Sequence, residues 1–361
     1  MVQIGKFTEW LSVTLWGAAA TTSSTATSSI TQNTYDFVRT FSHLSNVAYC
    51  VKAPIKSLDD NFQCGNACKN FPNMELVTTF GGDFFQTSIT GFLALDHVKK
   101  EKYVVYRGTF SIADVITDLQ FQQSGFLVDA PALNSLKAND TSESAKIDCK
   151  DCKIHDGFKK ANTETMTNIG DDLKKHLDSY PDYKLYVTGH SLGAAQALLS
   201  AISIKLQGYD PTLINFGQPR VGNAAFANYV DRLFFGEDAG LSVTSDRKLY
   251  RLTHWNDVFV GLPNWDGYQH NVGEVFIDWR FTNPPLQYVK SCEGGENPKC
   301  YRKDFNLLAQ INLLQNHLAY IDYIGYCTLN IGRRAQMNLP RYTGPNTYAH
   351  KTEDDVELAL Y

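Results

Sequence analysis

Residues 189–193 read Gly-His-Ser-Leu-Gly and stand between an apolar stretch, 184–188, and a long apolar run, 192–206. A serine held at a sharp turn from strand to helix stands exposed at the carboxyl edge of a sheet. Its backbone then lies at a helix N-terminus, where free N–H groups and the helix dipole favour a developing oxyanion. Glycine two before and two after removes side chains that would collide in so tight a turn. The pattern is the nucleophile elbow, G-x-S-x-G, and the chemistry it serves is acyl transfer. The plainer alternative is a serine that merely caps the helix, but the strand-to-helix placement favours the elbow.

A serine nucleophile needs a base, and the base needs an orienting acid. In this architecture they follow the serine in the order acid, then histidine. Asp257 lies just beyond the strand pattern at 248–253, whereas Asp246, Asp266 and Glu274 follow no strand end that would aim them at Ser191. Among the later histidines, His350 falls in the tail. His270 sits in a stretch, 267–279, that reads as an extended hairpin, and His317 at the edge of a late helix. Spacing favours His317 and leaves His270 open. His190, beside the nucleophile, is read as part of the scaffold.

These residues require elements to hold them. Met166, Ile169, Leu173 and Leu177 recur at helical spacing up to Pro181, followed by a strand at 184–188 and a helix at 192–206. A strand at 213–216, a helix near 223–235 and a strand at 248–253 come next, with two earlier strands at 86–96 and 102–108. This alternation predicts an α/β fold, a mostly parallel central sheet with helices on both faces. Ile112, Val115, Ile116 and Leu119 fall at i, i+3, i+4 and i+7, one apolar stripe on a short helix.

The whole chain sets limits. Its 361 residues are 43 % apolar and 12 % aromatic, which suits a sizeable core, and the formal charge is −5. No basic run suggests nucleic acid, and no stretch of eighteen apolar residues suggests a transmembrane segment in the mature body. Residues 1–20 have the outline of a secretory signal, and residues 21–34 are a Ser/Thr-rich flexible segment. The expected organisation is a leader over 1–34, one domain over 35–327 and a charged tail over 328–361. Eight cysteines, three pairs of them closely spaced, predict disulfides rather than a zinc site or a redox C-x-x-C. Asn139 opens a lone glycosylation sequon in a polar excursion.

Taken together the chain resembles the fungal class 3 lipases, and among them the secreted extracellular lipases of yeasts. The motifs that carry the resemblance are YRGT at 106–109, VTGHSLGAA at 187–195, GQPRVGN at 217–223, THWNDVFVGLP at 253–263, GYQHNVGEVF at 267–276 and NHLAYI at 316–321. It implies an α/β-hydrolase fold and hydrolysis of carboxylic esters, with Ser191 as nucleophile, Asp257 as acid and His317 as base. Thr109 and Leu192 become the oxyanion donors, with Asp118 steadying the Thr109 hydroxyl. The stripe at Ile112, Val115, Ile116 and Leu119 becomes a short helical lid. The implied pairing of cysteines is Cys50–Cys327, Cys64–Cys68, Cys149–Cys152 and Cys292–Cys300. The chain departs from the family in its leader, in its longer tail and in Phe259-Val260-Gly261, where Val-Pro is common after the acid.

The expectation is a secreted, extracellular, monomeric triacylglycerol lipase acting on lipid esters at an oil–water interface. It needs no cofactor and no metal. Rival readings are a soluble-ester esterase or phospholipase A1 of the same fold, and a non-catalytic lipid-binding relative.

Overall fold

A computed structural model of the chain describes residues 26–54, 57–82, 89–109, 123–125, 149–236, 247–301, 313–325 and 327. The α/β expectation is met. Strands β1 (Thr27–Ser29), β2 (Met74–Phe80), β3 (Gly91–Asp96), β4 (Glu101–Tyr106), β7 (Lys184–His190), β8 (Pro211–Phe216), β10 (Leu249–His254), β12 (Glu274–Ile277) and β13 (Val289–Cys292) form one nine-stranded sheet. Its order is β1-β13-β12-β10-β8-β7-β4-β3-β2. The central strands β4, β7, β8, β10 and β12 run parallel, and the flanking pairs are antiparallel. A smaller antiparallel sheet joins β5 (Gln123–Gly125), β6 (Lys153–His155), β9 (Gly222–Asn223) and β11 (Tyr268–Gln269).

The central strands are buried along almost their whole length because both faces are covered. Alternate residues go to opposite sides. Tyr103, Val105, Ile214 and Phe216 pack with Val38, Phe41 and Leu44 of α1 (Gln32–Ala48). Val104, Tyr106, Val187 and Leu213 face the other way, toward α2 (Asp156–Ser179), α3 (Leu192–Leu206) and α4 (Ala224–Phe235). The stripe Met166, Ile169, Leu173 and Leu177 is buried on α2 as its spacing requires. Buried Lys102 donates from its Nζ to the carbonyls of Leu177 and Tyr180, capping the end of that helix.

Two readings of the sequence are corrected. Residues 267–279 do not form a hairpin: β11 pairs antiparallel with β9 in the small sheet, while β12 pairs parallel with β10 and antiparallel with β13. Thr27–Ser29, inside the stretch read as flexible, is the sheet's edge strand, paired with residues 290–292. The four disulfides are Cys50–Cys327, Cys64–Cys68, Cys149–Cys152 and Cys292–Cys300, the pairing implied by the resemblance.

Candidate active site

Ser191 stands between the last residue of β7 and the first of α3, at the carboxyl edge of the parallel sheet. Its backbone has φ 60° and ψ −129°, a positive φ that a serine adopts only under constraint, at a cost on the order of 1–3 kcal/mol. The surroundings impose it. The Ser191 N–H donates to the Phe216 carbonyl of β8 at 2.9 Å, and its own carbonyl accepts from Ala194 N. Both flanking glycines are sterically required. A Cβ on Gly189 would lie 2.3 Å from the Gly193 carbonyl oxygen, and one on Gly193 2.6 Å from the carbonyl of Arg107. Leu192 opens α3, so its N–H has no acceptor in a preceding helical turn.

The end of β4 runs alongside Ser191. Gly108 follows it so closely that a Cβ there would be 2.9 Å from Ser191 Cβ, and Thr109 comes next, partly exposed. Asp118, the stripe residues Ile112, Val115, Ile116 and Leu119, and Asn139 lie outside the described residues.

Asp257 and His317 meet from distant parts of the chain. Asp257 sits in the turn after β10, where its N–H donates to the His254 carbonyl. His317 is the penultimate residue of α5 (Leu313–Leu318). Both are fully buried, with His317 Nδ1 2.8 Å from Asp257 Oδ2. The same Oδ2 accepts from the Tyr320 hydroxyl at 2.6 Å, and Oδ1 accepts from Phe259 N at 3.0 Å. Burial alone would raise the Asp257 carboxyl. The neighbouring His317 and Tyr320 outweigh it and hold the group below its ordinary value. His317 Nε2 is buried and makes no hydrogen bond among the described residues. The imidazole is thus oriented at one nitrogen and open at the other, which is what a general base requires. The Phe259 ring packs on it at 4.4 Å between centroids.

The other candidates are engaged elsewhere. His270 Nε2 donates to the Val260 carbonyl at 2.8 Å, and burial pushes its pKa well down, so it is a neutral strut. Glu274 accepts from the Thr253 hydroxyl and from Tyr301 N. Asp266 is exposed at a turn with φ 55°. Asp246 and His350 lie outside the described residues.

Two supports of this site were not singled out from sequence. Tyr320, three residues after His317 in the NHLAYI motif, is one. Arg220, in GQPRVGN, is the other: its Nη1 donates to the carbonyls of Gly261 and Pro263, its N–H donates to Leu262, and Glu296 holds the guanidinium. With His270 on Val260, four successive carbonyls of the loop beyond Asp257 are pinned. Their presence inside quoted motifs was the available signal; their partners lie far away in sequence.

A mostly parallel sheet with a strained serine at its carboxyl edge defines an α/β-hydrolase. Comparison then gives the family. The model of Lipase (class 3) matches residues 103–267. The crystal structure of Lip2 lipase from Yarrowia lipolytica is 44 % identical, with a TM-score of 0.74 over 85 % of this chain and 99 % of that one. Secreted mono- and diacylglycerol lipase 2 of Gibberella zeae is 29 % identical over 276 residues, 72 % of this chain and 66 % of that protein. The putative lipase LIH1 of Saccharomyces cerevisiae is 29 % identical over 266 residues, 69 % of this chain and 80 % of that protein. The chain belongs to the fungal class 3 lipase family, and by class it is a serine carboxylic-ester hydrolase.

Proposed function

We propose that this chain is a secreted lipase that cleaves acylglycerol esters through an acyl-enzyme on Ser191. Ser191 Oγ attacks the ester carbonyl while its proton passes to His317 Nε2. Asp257 holds the resulting imidazolium, and the N–H groups of Thr109 and Leu192 bind the oxyanion. The carbonyl re-forms as the alcohol leaves with the proton from His317. Water, deprotonated by His317, then attacks the acyl-enzyme and releases the fatty acid. The observation that carries this reading is the buried 2.8 Å bond from His317 to Asp257, with the opposite imidazole nitrogen making no hydrogen bond among the described residues.

Asp118 is assigned the support of the Thr109 hydroxyl, and Ile112, Val115, Ile116 and Leu119 the closing face of a lid that opens onto lipid. Such a lid exposes apolar surface that only an oil phase rewards. The enzyme works as a monomer outside the cell. The secreted lipases among its relatives support that location. No helix among the described residues is long and apolar enough to cross a membrane.

The test is hydrolysis rate against triacylglycerol concentration through the solubility limit, with Ser191→Ala alongside. A steep rise once droplets form, absent in the variant, is expected. Saturation below that limit would reassign the enzyme to soluble esters, and activity in Ser191→Ala above a few per cent would remove the nucleophile. The name of the Gibberella relative favours a second reading, preference for partial glycerides. Parallel curves on diacylglycerol decide it.

A further inference from the structure

Tyr49 and His190 belong to neither the acid–base pair nor the oxyanion donors, yet between them they contact the His317 carbonyl and the Gly108 backbone, and His190 precedes Ser191 in the chain. Tyr49 is the C-cap of α1, fully enclosed, and its hydroxyl lies 2.6 Å from His190 Nδ1. His190 Nε2 lies 2.8 Å from the His317 carbonyl oxygen, and the two imidazoles approach to 4.6 Å. A carbonyl only accepts, so Nε2 carries the hydrogen. Nδ1 is then an acceptor, and the Tyr49 hydroxyl donates to it. Burial, and after it the nearby His317, push the His190 pKa down to about 3, consistent with a neutral ring in this one tautomer. The Tyr49 hydroxyl also lies against the oxyanion strand. It hydrogen-bonds with the backbone of Gly108, and a Cβ on that glycine would come within 2.3 Å of it.

We propose that Tyr49 and His190 are positioning residues for ester hydrolysis: one hydroxyl and one neutral imidazole fix the backbone of His317 relative to Ser191 and to the Gly108–Thr109 strand. This rests on the roles assigned above to Ser191, His317 and Thr109. The physical argument is one of tolerance. The base lies in the last turn of α5, where carbonyls have no donor within the helix, so the His317 carbonyl depends on an outside partner, and His190 supplies it. Other contacts tether the chain just after it to α1 and to the residues that follow it: Arg39 Nε donates to Asp322 Oδ2 at 2.8 Å, Asp322 N donates to Ser42 Oγ, Gly325 N donates to Asn46 Oδ1 at 2.8 Å, and Cys50 is bonded to Cys327. These hold the loop, whereas the His190 bond holds the His317 residue itself. His190 is also the chain neighbour of Ser191. A shift at either end of the Tyr49–His190 pair therefore changes the distance between base and nucleophile directly, and a misplacement on the order of 1 Å can cost about a hundredfold in rate. His190 must also stay neutral. A second positive charge 4.6 Å from the imidazolium formed during the reaction would oppose proton transfer to His317.

The test uses the full-length protein and a soluble p-nitrophenyl ester, so that lipid binding does not enter. Tyr49→Phe keeps the ring and loses only the hydroxyl. His190→Gln retains a donor able to reach the His317 carbonyl, and His190→Phe does not. Each variant is first titrated with a serine-directed phosphonate at completion, so that kcat refers to reactive sites. The expected result is a fall in kcat of at least tenfold for Tyr49→Phe, with KM within about twofold. The rate of phosphonylation, which also needs the base, falls in parallel. His190→Gln should recover at least tenfold over His190→Phe. A purely structural role predicts a lower melting temperature with kcat per titrated site unchanged, and that result in Tyr49→Phe would overturn the proposal. Ser191→Ala separates the two readings. If it stays active, the assignment of the nucleophile fails; if it is inactive while Tyr49→Phe matches the wild type, this inference alone fails.

Discussion

The Tyr320 hydroxyl donates to Asp257 Oδ2 at 2.6 Å, the same oxygen that receives His317 Nδ1 at 2.8 Å. One carboxylate oxygen thus serves as hinge for two donors. The tyrosine is wholly buried, and burial, reinforced by the Asp257 carboxylate, pushes its phenol pKa well above the ordinary value, which favours the protonated donor form. Its role is to fix the oxygen's direction and to lower the carboxylate's demand for a proton.

Tyr320→Phe leaves the ring in its aromatic packing with Phe216 and His254 but removes a hydrogen bond to a charged acceptor, an interaction of about 1.5–3 kcal/mol. Asp257 keeps its bonds from His317 and Phe259 N. We expect kcat on a soluble ester to fall about tenfold and the unfolding midpoint to drop, measured by steady-state kinetics and denaturant titration. An unchanged kcat would show that two donors suffice to orient the Asp257 carboxylate.

Asp231 provides a pH signature outside the site. It lies on α4, nearly enclosed, and its Oδ1 accepts from Val272 N at 2.8 Å. Burial raises its pKa from 3.8 to about 7, only partly offset by the Val272 N–H and by Arg251. The folded state therefore binds this proton more tightly than the unfolded chain does. The stability this contributes is fully present below about 3.8 and is lost as pH rises through about 7. Asp231→Asn keeps an acceptor for Val272 and cannot ionise. Relative to the wild type, its unfolding free energy should gain up to about 4 kcal/mol between pH 4 and pH 8. Urea unfolding at several pH values reads this; parallel wild-type and variant curves would place the Asp231 pKa near its ordinary value.

What could be seen in the sequence was what is local in the chain. Gly189, Ser191 and Gly193 lie within five residues, so strand, turn and helix could be recognised together. Asp257 followed from a strand end. The choice of His317 over His270 did not follow from spacing, because it depends on where a late segment returns to the sheet edge. The structure separates them by partner: Asp257 for one, the Val260 carbonyl for the other. Thr27–Ser29 carries no apolar alternation, since it is an exposed edge strand whose pairing partner lies more than 260 residues later. The 267–279 stretch misled because its two strands are extended and close in sequence but belong to different sheets. Arg220 could not have been assigned a role, since its partners at Gly261, Pro263 and Glu296 meet it only in the folded chain.

The disulfides divide by the length of chain they close. Cys50–Cys327 spans 277 residues, whereas Cys149–Cys152 spans 3 and Cys64–Cys68 spans 4. Loop-closure entropy gives about 5–6 kcal/mol for the long span and about 1.6–2 kcal/mol for the short ones. Location sharpens the contrast. Cys50 follows Tyr49, the C-cap of α1, so this bond ties the chain at the end of α1 to the chain beyond His317. The double substitution Cys50→Ala/Cys327→Ala should therefore lower both the unfolding midpoint and kcat. Cys64→Ala/Cys68→Ala should lower the midpoint slightly and leave kcat on a soluble ester within about twofold. Differential scanning calorimetry with active-site titration distinguishes the two. Equal losses from both pairs would mean that the long bridge adds nothing beyond its local contacts, and that the bond from Gly325 N to the Asn46 side chain already holds the His317 segment in place.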